Sequence, residues 1–291
     1  LHVTIVSRNG RYIEIVNEGM TMSRTAQPNA NRRAFIAGLA ACAAAPALAT
    51  PTTAHTALPA RNPARNIVLV HGLFADGSCW APVIARLQPL GLHVTAVQNP
   101  LTTFADAVAE TRRVLSQQDG PTVLVGHSFA GMIVTEAGND PRVSALVYVA
   151  ARAPDAGEDY AALAHRFPTP PATAGILFDG DVGRLSEDAF LRDFAGDLPP
   201  AQARVLYATQ QPFHKALLTG QITQAAWRTH PSYYAVSAQD RTIDPDLERF
   251  MARRMGAQTI ELPSSHLSLI SHPDAIADLI ARAAGVIRHG R

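Results

Sequence analysis

The sequence predicts an α/β fold, a doubly wound and mostly parallel sheet with an inserted, mainly helical cap. Three observations predict it. Short, continuously apolar runs alternate with segments of helical periodicity, as expected for strands covered by helices on both faces. The alternation stops over about residues 152–230, where prolines and short helical patterns accumulate, and then resumes. The stretch VLVGHSFAG, residues 123–131, sets a serine among small residues where an apolar run passes into a helical pattern.

Each element has its own reason. NIVLVHG (66–72) is a short apolar run ending in Gly and reads as a buried strand. Trp80, Val83, Ile84, Leu87 and Leu90 recur at helical spacing over 79–90, and Gly91 stops that helix. HVTAVQ (93–98) is a strand by its alternation and β-branched content. Phe104, Ala107, Val108, Thr111 and Leu115 share one face of a helix over 104–118. TVLVG (122–126) is a strand, 129–138 a helix and VSALVYVA (143–150) a strand. The insert follows, with the helical patterns AFLRDFAGDL and PPAQARVLYATQ. SYYAVSA (232–238) then reads as a strand, 245–255 as a helix, QTIEL (258–262) as a strand and 273–287 as the last helix. The insert is expected over the carboxyl edge of the sheet, where ligands bind in open α/β folds.

Composition narrows the function. The 291 residues suffice for one large α/β domain or two small ones. Apolar residues make up 47% and charged residues 17%, which supports a full core and argues against disorder throughout. Net charge is +1 and the sole lysine is Lys215, so no nucleic-acid footprint is expected. No apolar stretch of the body reaches the roughly 18 residues of a membrane span. There is no HExxH, no CxxC and no GxGxxG after the first strand, so neither a metal nor a dinucleotide cofactor is expected.

The N-terminal region reads as an address. NRRAFIAGLAACAAAPALAT pairs Arg32 and Arg33, continues with an Ala-rich apolar run and ends on Ala47-Leu48-Ala49. That is a charged region, an apolar region and an A-x-A cleavage site, and it resembles a twin-arginine export signal over 22–49. Periplasmic or secreted localisation is expected, with cleavage after Ala49. Leu39-Ala40-Ala41-Cys42 resembles a lipobox, and the alternative is a lipid anchor on Cys42. Residues 1–21 do not read as part of the signal; Met20 and Met22 both fit a start, which makes 1–21 an upstream or non-native segment. Residues 50–65, rich in Ala, Pro and Thr, are a linker, and 66–291 is the folded domain. Cleavage after Ala49 leaves 20 basic against 22 acidic residues and Cys79 alone, so no internal disulfide can form.

The chemistry starts at Ser128. A serine between a strand and a helix, flanked by Gly126 and Ala130, has the setting of a nucleophile elbow, whose sharp turn needs small residues on both sides. A strict G-x-S-x-G would carry Gly at 130; here Ala130 is followed by Gly131. Serine needs a base, and the base needs a carboxylate to hold its tautomer and stabilise its charge. Asp240 follows a late strand and His266 follows the last one. The rivals are Asp244, placed to cap the next helix before Pro245, and His272, placed before Pro273 at a helix start.

With Ser, Asp and His in that order at strand ends, residues 66–287 resemble an α/β-hydrolase, most closely the capped, cofactor-free branch of plant methylesterases, hydroxynitrile lyases and bacterial esterase-like proteins. The resemblance implies a Ser128–His266–Asp240 triad and an oxyanion hole made by the backbone amides of Phe129 and Leu73. His71, Gly72, Gly126, His127 and Ala130 support the elbow and the loop, the two histidines through hydrogen bonds rather than as bases. It implies a small-molecule ester substrate. The lyases of the branch carry Thr after the first-loop His and Lys after the catalytic His; this chain has Gly72 and Leu267, which points to an esterase. Lyase-like, perhydrolase or haloperoxidase activity at the same site are the alternatives. Phe129, Leu73, Phe167, Phe178, Phe194, Tyr207 and Phe213 suggest an apolar pocket.

Overall fold

The apolar runs assemble into one sheet. In the computed structural model, residues 63–286 are described, with two short strands before them at 5–6 and 12–13. The chain divides into two units, Leu1–Thr56 and Ala57–Arg291. In the first, β1 (Ile5–Val6) pairs antiparallel with β2 (Tyr12–Ile13). The rest of the expected upstream segment, the export signal with Cys42, and the linker as far as residue 62 lie outside the described residues.

The second unit runs in chain order β3 (Asn66–Val70), α1 (Ala81–Leu87), β4 (His93–Val97), α2 (Phe104–Ser116), β5 (Thr122–His127), α3 (Ala130–Ala137) and β6 (Val143–Val149). The insert contributes α4 (Tyr160–Ala164), β7 (Ile176–Asp179), β8 (Val182–Leu185), α5 (Glu187–Ala189), a π-helical turn at Phe190–Phe194, α6 (Pro200–Ala208) and β9 (Phe213–His214). The chain closes with β10 (Ser232–Ser237), α7 (Pro245–Arg254), β11 (Gln258–Leu262), α8 (Ser268–Ser271) and α9 (Pro273–Ala283).

Six strands pair in the order β11-β10-β6-β5-β3-β4, and every pair is parallel. A parallel sheet covered on both faces needs apolar residues at every position of its inner strands. β3, β5 and β10 are buried throughout, whereas the edge strands β4 and β11 are partly exposed. Strand order reverses at β3: the chain moves to β4 on one side and returns to β5 on the other. The carboxyl ends of β3 and β5 therefore flank the crevice in which ligands of open α/β sheets bind.

Two helices differ from the periodic reading for local reasons. The span 79–90 is divided into a 3-10 turn, Gly77–Trp80, then α1, then a second 3-10 turn at Gln88–Leu90. Pro89 has no N–H to continue the ladder, and Gly91 closes the segment at φ 75°. The last helix ends at Ala283, followed by Gly285 at φ 74°.

The insert is chiefly helical turns, and it also holds a three-stranded antiparallel sheet, β7-β8-β9, that periodicity did not single out. It is tied to the sheet domain beside β10. Asp193, with its side chain buried, is ion-paired to Arg192 at 2.8 Å and to Arg241 at 2.7 Å. The amide of Ala172 donates to the carbonyl of Arg241 at 3.0 Å.

Candidate active site

β5 ends at His127 and α3 begins at Ala130, so Ser128 and Phe129 make the whole turn between them. Ser128 has φ 57°, the left-handed region that disfavours an L side chain by about 1–2 kcal/mol. Bonds around it enforce that conformation: its amide donates to Val149 O at 3.1 Å, and its carbonyl accepts from Gly131 and Arg152 at 3.1 and 3.0 Å. Phe74, Leu101 and Ala150, in the segments after β3, β4 and β6, also have positive φ. Strained backbone thus gathers along one carboxyl edge, a pattern typical of functional sites.

Close approach explains the small residues. A Cβ on Gly72 would stand 2.6 Å from Ser128 Cβ and 2.9 Å from His127 O. One on Gly126 would stand 2.7 Å from Val134 Cγ2 and 2.8 Å from Ala130 O. At Gly131 it would collide with Arg152 O, so the glycine shifted one place from the strict motif has its own packing reason. Ala130 is completely buried.

His266 and Asp240 meet here from two different strand ends. His266 Nδ1 bonds Asp240 Oδ2 at 2.5 Å, with both side chains fully buried. Asp240 Oδ1 accepts the amides of Thr242 and Ile243 at 2.6 and 2.9 Å, which fixes the carboxylate. His266 Nε2 is buried and has no hydrogen-bond partner. A ring that donates from Nδ1 to a carboxylate presents a lone pair at Nε2, the arrangement of a general base. Among the described residues, the amides of Leu73 and Phe129 have no protein acceptor. Such idle N–H groups at a turn are suited to an oxyanion.

The flanking histidines are occupied elsewhere. His71 Nε2 accepts the amide of Asn99 at 2.9 Å, so its proton sits on Nδ1, which donates to Gly72 O at 2.9 Å. His127 Nε2 donates to the carbonyl of His266 at 3.0 Å. Burial holds both rings below the usual histidine range, His127 far below it. Neutral rings in fixed tautomers can brace the loop that carries Leu73 and the loop that carries His266. The rivals also have other work. Asp244 caps α7, accepting the amides of Asp246 and Leu247 at 2.9 and 3.3 Å. His272 precedes α9 and bonds Ser271 Oγ at 2.9 Å. Burial pushes the Cys79 thiol up, which removes it as a nucleophile.

Two groups around the site, Arg152 and Glu248, went unnoticed in the sequence, and a third, Phe194, was expected only as pocket lining. Phe194, at the end of the π-helical turn, lies 5.1 Å from the His266 ring and packs edge-on against Phe74 at 5.7 Å, which covers that ring with apolar surface. Arg152, just after β6, lies over the Phe129 ring at 5.4 Å. Glu248, on α7, is completely buried and accepts the amide of Ser237 at 3.2 Å. Burial and then the neighbouring Asp240 carboxylate push the Glu248 carboxyl well above the usual carboxylate range, so it sits protonated behind the Asp240–His266 pair. A signal was present: Glu248 falls between Leu247 and Met251 on the buried stripe of its helix. Of the proposed pocket residues, Leu73, Phe129, Phe194 and Phe213 are buried, Phe167 packs on Phe250 and Tyr207 on Phe190. Phe178 is half exposed at 51% and is no part of an enclosed pocket.

Known proteins share this arrangement of elements. A carbendazim hydrolyzing esterase from Nocardioides sp. is 30% identical over 249 residues, covering 74% of this chain and 98% of that protein. A pyrethroid hydrolase from Sphingobium wenxiniae is 25% identical over 245 residues, covering 74% and 86%. The crystal structure of polyneuridine aldehyde esterase superposes with a TM-score of 0.65 at 18% identity, covering 75% of this chain and 98% of that one. The family model described as the alpha/beta hydrolase family matches residues 67–279, from the second residue of β3 into α9, and the chain belongs to that family.

Proposed function

We propose that the protein is an exported serine esterase that cleaves carboxylic esters through a covalent acyl-enzyme. His266 Nε2 takes the proton of Ser128 as its Oγ attacks the ester carbonyl. Asp240 holds the ring in the tautomer that makes this possible and stabilises the imidazolium that forms. The amides of Leu73 and Phe129 receive the developing oxyanion. His266 then protonates the leaving alcohol, and a water activated by the same ring releases the acid. The observation that carries this reading is the buried His266–Asp240 pair with an unpartnered Nε2, joined through the His266 carbonyl to His127, the residue before a serine in the left-handed conformation. Esterases and hydrolases among the relatives support the reaction class.

A hydroxynitrile lyase must stabilise departing cyanide with positive charge. The residue after His266 is Leu267, buried and uncharged, and Lys215 is engaged with Asp181. Ester cleavage is the better match. The test is labelling by a fluorophosphonate, then a side-by-side assay of p-nitrophenyl acetate and butyrate against mandelonitrile. Labelling and ester turnover, both abolished in Ser128→Ala, are expected; kcat should fall on the order of 10⁴-fold or more. Mandelonitrile cleavage lost in Ser128→Ala, without ester turnover, would overturn the esterase assignment.

A further inference from the structure

Arg152 is a cation to which no acid is ion-paired among the described residues. It is half-buried, forms no ion pair, and its Nε is buried with no hydrogen-bond partner. Of the acids near it in sequence, two are ion-paired elsewhere and the third, Asp159, is exposed and caps α4. Asp155 binds Arg228, with Nε to Oδ1 at 2.8 Å, and Glu158 binds Arg254 at 2.8 Å. Asp159 spends its Oδ1 on the amides of Ala161 and Ala162 at 2.8 and 3.3 Å. What Arg152 has instead is aromatic: its guanidinium carbon lies 4.6 Å from the Tyr160 ring centroid and 5.4 Å from that of Phe129. Burial pushes the Tyr160 phenol up to about 12, so it supplies no negative charge at neutral pH. A partly buried charge without a counter-ion is costly, and a bound anion would offset that cost.

The space for that ligand is present. Arg152 and Tyr160 line an open cavity of about 440 Å³ between the start of α3 and the insert, together with Met132, Leu218, His165 and, at its exposed rim, Asp159. Its wall is joined to the Ser128 turn through the backbone: the Arg152 amide donates to Ser128 O at 3.0 Å, and the Met132 amide donates to Phe129 O at 3.0 Å. Five N–H donors in a planar fork match a carboxylate.

Resting on the esterase reading above, we propose that Arg152 and this cavity form a subsite for a carboxylate of the substrate, so that the enzyme favours esters carrying a free carboxylate a few carbons from the scissile carbonyl. The guanidinium holds the anion, Tyr160 and Phe129 keep its plane in place, and the ester is laid across the Ser128 turn.

The test compares monomethyl glutarate with dimethyl glutarate, the same chain with and without the charge, by methanol release. The wild-type enzyme should prefer the monoester in kcat/KM by at least 10-fold. In Arg152→Met that preference should fall about 10- to 100-fold, the range for a hydrogen bond to a charged group, and Arg152→Lys should restore part of it. The ratio is read because a general loss from misfolding cancels in it. As a check without any variant, glutarate should inhibit the wild-type enzyme competitively and glutaramide should not. Equal turnover of the two esters, a ratio unchanged in Arg152→Met, or glutarate inhibition that is absent or noncompetitive would overturn the subsite. Failure of the esterase reading is distinguishable: neither ester would turn over and Ser128 would not label. In that event glutarate should still raise the Tm of Ser128→Ala, less so with Arg152→Met added, and no shift would sink the subsite too.

Discussion

A methyl group at residue 72 has no room beside Ser128. Gly72 has ordinary backbone angles, so its requirement is steric rather than conformational: an added Cβ meets Ser128 Cβ at 2.6 Å and Ser128 Oγ at 3.1 Å. Gly72→Ala should therefore fold and lose at least about 100-fold in kcat/KM, since misplacing reacting groups by an ångström costs that much. Retained activity in a steady-state ester assay would show that the loop yields. Glu248 makes a second residue-scale prediction. Its folded pKa is raised above the unfolded value, so the folded state binds the extra proton. That contribution is complete below about pH 4.3, the unfolded carboxyl value, and is lost as pH rises through the folded pKa. Glu248→Gln keeps the shape and carries no ionisation cost. Its Tm advantage over the wild type should widen as pH is raised from about 4. Thermal unfolding of both proteins over a pH series is the check, and parallel curves would mean that Glu248 ionises normally.

At the scale of the element, two aspartates four residues apart do different things because one ends a strand loop and the other starts a helix. Asp240 binds His266 and two backbone amides, whereas Asp244 satisfies the first free amides of α7. Asp244→Ala should lower stability by about 1 kcal/mol, the usual worth of an N-cap, with kcat nearly unchanged. Asp240→Asn should lower kcat by orders of magnitude, because an amide favours the wrong tautomer of the ring. Denaturant unfolding and steady-state kinetics on the two variants separate the roles, and a larger kcat loss in Asp244→Ala would reassign the acid. The insert acts as an element in the same sense. Asp193 ties it to Arg241, the residue after Asp240, so the ion pair that docks the insert also holds the loop of Asp240.

For the whole molecule, the proposal of export makes a prediction that the fold does not touch. N-terminal sequencing of the protein from its native host should begin at Thr50. A start at a lipidated Cys42 would favour the anchored alternative, and an uncleaved chain in the cytoplasm would exclude both. Among the described residues, no helix is long and apolar enough to cross a membrane.

The sequence by itself determined the sheet. Runs such as Ile67–Val70 and Val123–Val125 are short, rich in β-branched residues and apolar at every position, the pattern of strands covered on both faces, so strand identity was readable one segment at a time. It also determined the place of Ser128 in a strand-to-helix turn, because a strand, small neighbours and a helix are local features. The pairing of His266 with Asp240 rather than Asp244, and the placing of Leu73 beside Ser128, depended on strand order, which brings together residues distant along the chain. Burial of a polar side chain is likewise a tertiary property. Glu248 and Arg152 look like ordinary surface charges in the sequence. Only packing sets one against Asp240 and leaves the other without an acid, because desolvation and missing counter-charges arise from what the rest of the chain brings near.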